Sequence, residues 1–172
     1  MYKPPIKTKK SMNKLYLSLG SNIENRLYFI KQATKLINNK VGFVFEKSNI
    51  YETPAWGFES TKFLNTCICV HTKFTTKESL IEFQKIEKEL GRKAKTSTGY
   101  QARPIDIDII YASEGIFNTP SLVVPHPLMQ DRKFVLVPLL DILPKYIHPL
   151  LHKNTKELLT ECNDGSQIIN YN

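Results

Sequence analysis

The stretch "RPIDIDIIY" (residues 103–111) reads first as a buried strand, with isoleucine at 105, 107, 109 and 110 and a tyrosine to close it. Strand side chains alternate between faces, so Asp106 and Asp108 share one face and leave the other apolar. Two carboxylates two strand steps apart, about 6.5 Å, repel by roughly 2.5 kcal/mol at an effective dielectric near 20. Partial burial against a sheet adds a desolvation cost. Something cationic must compensate. Arginines from the preceding loop are one answer. A divalent metal is the other, because paired carboxylates suit Mg²⁺ held against substrate phosphates.

The segments on the N-terminal side of this strand set its context. "GRKAKTSTGYQAR" (91–103) carries Arg92, Lys93, Lys95 and Arg103, two glycines and no acid. It reads as a flexible cationic loop delivered into the aspartate strand. Before it, "TKESLIEFQKIEKELG" (76–91) places Leu80, Phe83, Ile86 and Leu90 on a helical stripe, with Glu78 in the first turn and Gly91 at the end. "KLYLSLGSN" (14–22) is an alternating strand that stops at Gly20-Ser21-Asn22, a turn and helix N-cap combination. Leu27, Ile30, Ala33 or Thr34, and Ile37 then predict an amphipathic helix ending near Asn38-Asn39. "VGFVFEKSNIY" (41–51) and "KFLNTCICVHTKF" (62–74) are strands, and "ETPAWGFEST" (52–61) is a loop holding the only tryptophan.

The order β-α-β-β-α-β predicts an α+β fold of ferredoxin-like type, an antiparallel sheet with helices on one face. After residue 111 the chain reads as a turn, a short strand, a proline-bounded loop and one or two short helices. The expected organisation is a mobile basic tail over 1–12, one domain over 13–160 and a weakly ordered tail over 161–172.

Composition removes several function classes. The 172 residues are 41% hydrophobic, and no apolar run approaches a membrane span. No secretory signal pattern opens the chain, and three cysteines (Cys67, Cys69, Cys162) read as reduced thiols, so a cytoplasmic protein is expected. The formal charge of +8 includes five N-terminal lysines, leaving about +3 on the body, too little to argue a nucleic-acid surface. An RNA-binding module of this topology needs stacked aromatics on its central strands, where this chain carries Asp106 and Asp108. Another two-metal phosphoryl enzyme, such as a nucleotidyl transferase, would be favoured by a third carboxylate, and none is near the pair in sequence. His148 and His152 lie four apart, but Pro149 between them argues against a shared helical face.

Two segments describe a substrate site. Phe63 and Asn65 share a strand face after an aromatic loop, so a flat heterocycle could stack on one and hydrogen-bond to the other. "PHPLMQDRKF" (125–134) offers His126 and Arg132 to phosphate and Phe134 as a second aromatic wall. Neither G-x-x-x-x-G-K-[ST] nor G-x-G-x-x-G is present, so a nucleotide must be held by metal and side chains.

"LYLSLGSN", "YETPAWG…FLN", "IEKELGR", "ARPIDIDII" and "VPHPLMQDRKFVLVPL" together resemble the 6-hydroxymethyl-7,8-dihydropterin pyrophosphokinases of folate biosynthesis, over about residues 14–143. The resemblance implies the ferredoxin-like fold and transfer of pyrophosphate from ATP to the pterin's hydroxymethyl group, releasing AMP. It implies Asp106 and Asp108 as ligands of two Mg²⁺ ions, with Arg92 and Arg103 as catalytic arginines. Gln84, Glu87, Arg92, Arg103, Ile109, His126 and Arg132 would form the ATP side. Gly20, Thr53, Pro54, Trp56, Phe63, Asn65 and Phe134 would form the pterin side. The implied partners are ATP and a reduced pterin, with no nucleic acid and no membrane, acting on a monomer. Phe63 stands where the family more usually has tyrosine, and Lys93 or Lys95 would substitute as point charges for a loop arginine.

Overall fold

In the computed structural model the described residues are 12–93 and 102–171. The basic tail up to residue 11 and loop residues 94–101, Lys95 among them, lie outside these ranges.

Among the described residues, eight strands and four α-helices run in the order β1 (Asn13–Ser21), α1 (Arg26–Lys40), β2 (Gly42–Lys47), β3 (Tyr51–Thr53), β4 (Phe63–Thr72), α2 (Thr76–Glu89), β5 (Asp106–Ala112), β6 (Phe117–Thr119), β7 (Leu122–Val124), α3 (Lys133–Ile142), α4 (Thr155–Glu161) and β8 (Ile169–Asn170). The main sheet runs β5-β1-β4-β3-β8, with β2 also paired to β4, and each of these pairings is antiparallel. This is the expected βαββαβ sheet. The single predicted strand over 41–51 is divided: β2 and β3 take successive parts of one edge of β4.

Alternation decides the packing. Leu15, Leu17 and Leu19 of β1, Leu64, Ile68 and Val70 of β4, and Ile107 and Ile109 of β5 form one core with Ile30, Ala33 and Ile37 of α1 and Phe83 and Ile86 of α2. Each such fully buried aliphatic side chain contributes about 1.5–3 kcal/mol relative to exposure. The ferredoxin-like pattern predicts helices on one face only, whereas this sheet is covered on both. α3 and α4 take the second face, packing Val135, Leu136, Leu139, Ile142 and Leu158 against Cys67, Ile110 and Tyr111. A register shift in the β1–β5 pairing explains how two consecutive residues, Ile110 and Tyr111, both reach that second core.

Local signals place the helix ends with small corrections. α1 is capped by Asn25, whose side chain accepts the Tyr28 N–H, and not by the Ser21-Asn22 turn. α2 starts on a Thr75/Glu78 capping box and is followed by Gly91 at φ +93°, a left-handed position that favours glycine. The 161–172 segment reads as weakly ordered in sequence, yet Ile169 and Asn170 pair with Glu52 and Tyr51. Their strand is too short for a periodicity signal, so only the long-range pairing reveals it.

Candidate active site

α3 covers one end of the second sheet face and leaves the other end open. There the register lines up Asp106 (β5), Gly20 (β1) and Asn65 (β4) in one row across three strands. Asp108 and Ser18 are paired in a second row. Glycine at the centre leaves room above the sheet: a Cβ at Gly20 would lie 2.8 Å from Asn65 Oδ1 and 3.6 Å from Phe63 Cδ1. A pocket opens on these rows, lined by Ser18, Gly20, Asn65, Asp106 and Asp108 below. Thr53, Pro54, Trp56, Phe58, Phe63, Arg103, Arg132 and Phe134 stand around it.

The pocket joins two kinds of surface. On one side Phe63 meets Phe58 edge-on at 6.3 Å, and buried Asn65 donates its amide to Thr53 Oγ1 at 2.9 Å, which fixes the amide's orientation. Trp56 and Phe134 lie 6.5 Å apart, with the Arg132 guanidinium 4.9 Å from the first ring and 5.7 Å from the second. On the other side stand the carboxylates and arginines. Arg92 Nη1 donates to Asp106 Oδ1 at 2.5 Å and also to Glu87, while Arg103 Nη1 donates to Asp106 Oδ2 at 2.9 Å. In this state arginines therefore compensate Asp106, the first of the two answers the sequence allows. Asp108 is served less well: its ion pair with Arg132 Nη1 spans 4.0 Å.

Desolvation and then the Asp106 charge push the Asp108 carboxyl up to about 7. Glu87 is raised to about 7 as well, chiefly by burial, although Arg92 opposes the shift. Glu87 also accepts the Ile107 N–H at 2.8 Å, so it braces the start of β5. Both carboxyls hold protons more tightly folded than unfolded. The resulting stability is fully present below the ordinary carboxyl range and is lost as pH rises through about 7. Ligand-free and metal-free, the protein should lose more melting temperature between pH 5 and pH 8.5 than its Asp108→Asn variant. Parallel thermal melts check this, and superimposable pH profiles would contradict it.

His126, after β7, is pushed down to about 4, first by burial and then by the Arg132 charge, so it is neutral at pH 7. The Leu128 N–H donates to its Nδ1 at 3.2 Å, which assigns the proton to Nε2. Nε2 lies 3.4 Å from Arg132 Nη1, so two N–H donors converge, an arrangement suited to an oxyanion.

All seven residues expected on the heterocycle side line the pocket, and so do Arg103, Arg132, Asp106 and Asp108. Arg92, Glu87 and His126 adjoin it through their partners. Alternation puts the Ile109 side chain in the core beneath the sheet, on the face opposite the aspartates, so any contact it makes on the nucleotide side is through its backbone. Gln84 is exposed on α2, outside the pocket lining. Ser18 and Phe58 line the pocket although neither sequence pattern nor resemblance points to them. The signal for Ser18 is its place as the i−2 neighbour of Gly20 on one strand face. Asn22, a cap by its sequence position, instead accepts the Arg103 N–H at 2.8 Å and donates to Ser60 at 3.0 Å, tying the end of β1 to both flanking loops.

The donor set fits a hard divalent cation. Asp106 and Asp108 supply oxygen ligands alone, and among the described residues no group of three His, Cys, Asp or Glu gathers as a metal cage. Two carboxylates are the set expected when substrate phosphates and water complete an octahedral Mg²⁺ site. Glu87, the third carboxylate nearby, is held by Arg92 and the Ile107 N–H.

The fold and site together define a class: a ferredoxin-like α+β protein in which a paired-carboxylate strand borders an aromatic, amide-lined pocket. Comparison with known proteins is more specific. The family model for 7,8-dihydro-6-hydroxymethylpterin-pyrophosphokinase (HPPK) matches residues 16–144, and the chain belongs to that family. It is 38% identical over 151 residues to the 2-amino-4-hydroxy-6-hydroxymethyldihydropteridine pyrophosphokinase of Aquifex aeolicus, covering 87% of this chain and 92% of that one. It is 41% identical over 138 residues to the Porphyromonas gingivalis protein of the same name, covering 78% and 93%. Among solved structures, Plasmodium falciparum HPPK-DHPS matches with a TM-score of 0.74 at 16% identity, over 90% of this chain and 46% of that one, which supports the fold.

Proposed function

We propose that the protein transfers the terminal pyrophosphoryl unit of ATP to the hydroxymethyl oxygen of 6-hydroxymethyl-7,8-dihydropterin, releasing AMP. The strongest support is a single pocket whose aromatic and amide wall runs directly into Asp106, Asp108, Arg103 and Arg132. The pterin is flat, with an edge of hydrogen-bonding groups. Phe63 and Phe134 supply its stacking surfaces, while Asn65 and the backbone around Thr53-Pro54 read its edge. Trp56, 6.5 Å from Phe134, would add a further aromatic wall.

In the reaction the pterin hydroxyl oxygen bonds to the β-phosphorus, and the bond from that phosphorus to the α-bridging oxygen breaks. The bridging oxygen leaves with AMP, and the hydroxyl proton is lost. Asp106 and Asp108 would hold Mg²⁺, which when bound neutralises charge on the phosphate oxygens. Arg92 and Arg103, which pair with Asp106 in the ligand-free protein, would then be available to the phosphates. Neutral His126 and Arg132 add two converging N–H donors. Positioning of one substrate against the other supplies much of the rate. Among the described residues no helix is long and apolar enough to cross a membrane, and Cys67, Cys69 and Cys162 are unbonded thiols. The unbonded thiols support a cytoplasmic location as part of this proposal.

Titrating the protein with 6-hydroxymethylpterin and α,β-methylene-ATP, with and without Mg²⁺, tests this reading through the fluorescence of Trp56. Pterin binding strengthened by Mg²⁺ and the nucleotide is expected; pterin binding absent under both conditions would overturn it. Gly20→Ala probes the pterin side alone. The added methyl displaces the Asn65 amide, at a packing cost of about 1–3 kcal/mol, so pterin KM should rise about tenfold. The KM for ATP should stay within about twofold, since the clash faces Asn65 and Phe63. Steady-state kinetics in each substrate separates the two.

A further inference from the structure

The segment after α4 touches both sides of the pocket from outside. At α3, Asp164 Oδ2 accepts the Lys133 N–H at 3.0 Å, at the start of a helix whose own N-cap residue, Arg132, makes no side-chain cap bond. A carboxylate there satisfies a helix-end donor and complements the helix dipole. The Lys133 ammonium reaches Ser166 O at 3.1 Å, and the Ser166 N–H donates to Asp164 Oδ1 at 2.9 Å, which fixes the turn. Lys133 lies between Arg132 and Phe134, both of which line the pocket.

The chain then crosses to β3. Ile169 and Asn170 pair with Glu52 and Tyr51, and the Tyr171 N–H donates to Ile50 O at 2.8 Å. The next residue of β3, Thr53, lines the pocket. Arg26 donates to Glu52 at 2.8 Å and to the Lys62 carbonyl at 2.9 Å, clipping together the two ends of the loop that carries Trp56 and Phe58. The Tyr171 ring lies 6.0 Å from that guanidinium. One short segment thus links the α3 side of the pocket to the β3 side. The family match ends at residue 144, before this segment begins.

We propose that residues 164–171 are a positioning strap for the pterin pocket. Asp164 sets the start of α3, and with it Phe134 and Arg132. The 169–171 strand sets β3, and with it Thr53 and the Trp56 loop. The strap contributes no side chain to the pocket lining, so it acts through residues that do. The inference rests on the pterin reading above.

Full-length Asp164→Ala and Tyr171→Pro test it, the first removing the helix cap and the second the hydrogen bond to Ile50. Dissociation constants for 6-hydroxymethylpterin, measured by Trp56 fluorescence at saturating Mg²⁺ and α,β-methylene-ATP, should rise about fivefold or more in each. Affinity for the nucleotide analogue should fall by a smaller factor. Asp164→Asn, whose amide oxygen still accepts the Lys133 N–H, should recover most of the loss. Unchanged pterin affinity in either substitution would overturn the strap. So would pterin and nucleotide affinities falling in equal proportion alongside a lowered melting temperature, the mark of general destabilisation. Failure of the unsubstituted protein to bind the pterin would instead overturn the functional reading.

Discussion

Alanine at Asp108 is expected to lower turnover about a thousandfold while raising the melting temperature of the ligand-free protein at pH 8. The two effects have one cause. Asp108 is partly desolvated, faces the Asp106 charge, and reaches Arg132 only at 4.0 Å, so its ionised form is held at a cost to the fold. The Asp108 side chain keeps 37% of its exposure, so solvent screening limits the gain to a small rise in melting temperature. Alanine at Asp106 should lose as much activity but melt lower, because Arg92 and Arg103 both lose their shared acceptor. Kinetics and thermal melts on the same two preparations check the pair. Normal turnover in either variant would remove the metal-ligand assignment. Equal melting shifts of one sign would contradict the unequal electrostatics.

Arg92→Ala is the second large effect, with kcat expected to fall about a hundredfold to a thousandfold. One guanidinium nitrogen of Arg92 binds both Glu87 and Asp106, so the side chain is tethered at Glu87 while it can exchange Asp106 for phosphate. Lysine should restore little of this, because an ammonium is a point charge without a planar fork. Arg103→Ala should behave similarly, since Arg103 holds the other oxygen of Asp106. The double variant Arg92→Ala/Asp106→Ala should lose far less than the product of the single losses, because both residues act as one unit. Pre-steady-state measurement of AMP formation checks the chemical step; full additivity would place the two residues in separate roles.

Much of this site is legible in the sequence, and for identifiable reasons. Two aspartates two residues apart in an apolar strand can only share a face, so the carboxylate pair comes from alternation alone. The same rule, applied consistently, sends Ile109 into the core, and the structure places it there. Its expected place on the nucleotide side comes from family resemblance, which does not carry side-chain direction. The aromatic residues Phe63 and Phe134 lie 71 positions apart in sequence, and nothing local says that they meet at one pocket. The covering of the second sheet face by α3 and α4 is likewise invisible, because a βαββαβ pattern places no constraint on the elements after it. Asn22 shows the limit at the scale of one residue. Its position after a strand reads as a helix cap, yet its hydrogen bonds reach Ser60 and Arg103, partners fixed only by the tertiary fold. The C-terminal strap escapes sequence reading for the same reason: a two-residue strand and one aspartate have no periodicity to detect.

In the proposed reaction a pyrophosphoryl unit, and not a single phosphoryl group, moves to the pterin. Incubation with ATP, Mg²⁺ and 6-hydroxymethyl-7,8-dihydropterin, with subsequent separation of the nucleotides, tests it most directly. AMP should appear in equal amount with a pterin diphosphate, and only when pterin is present. ADP as the sole nucleotide product would contradict it.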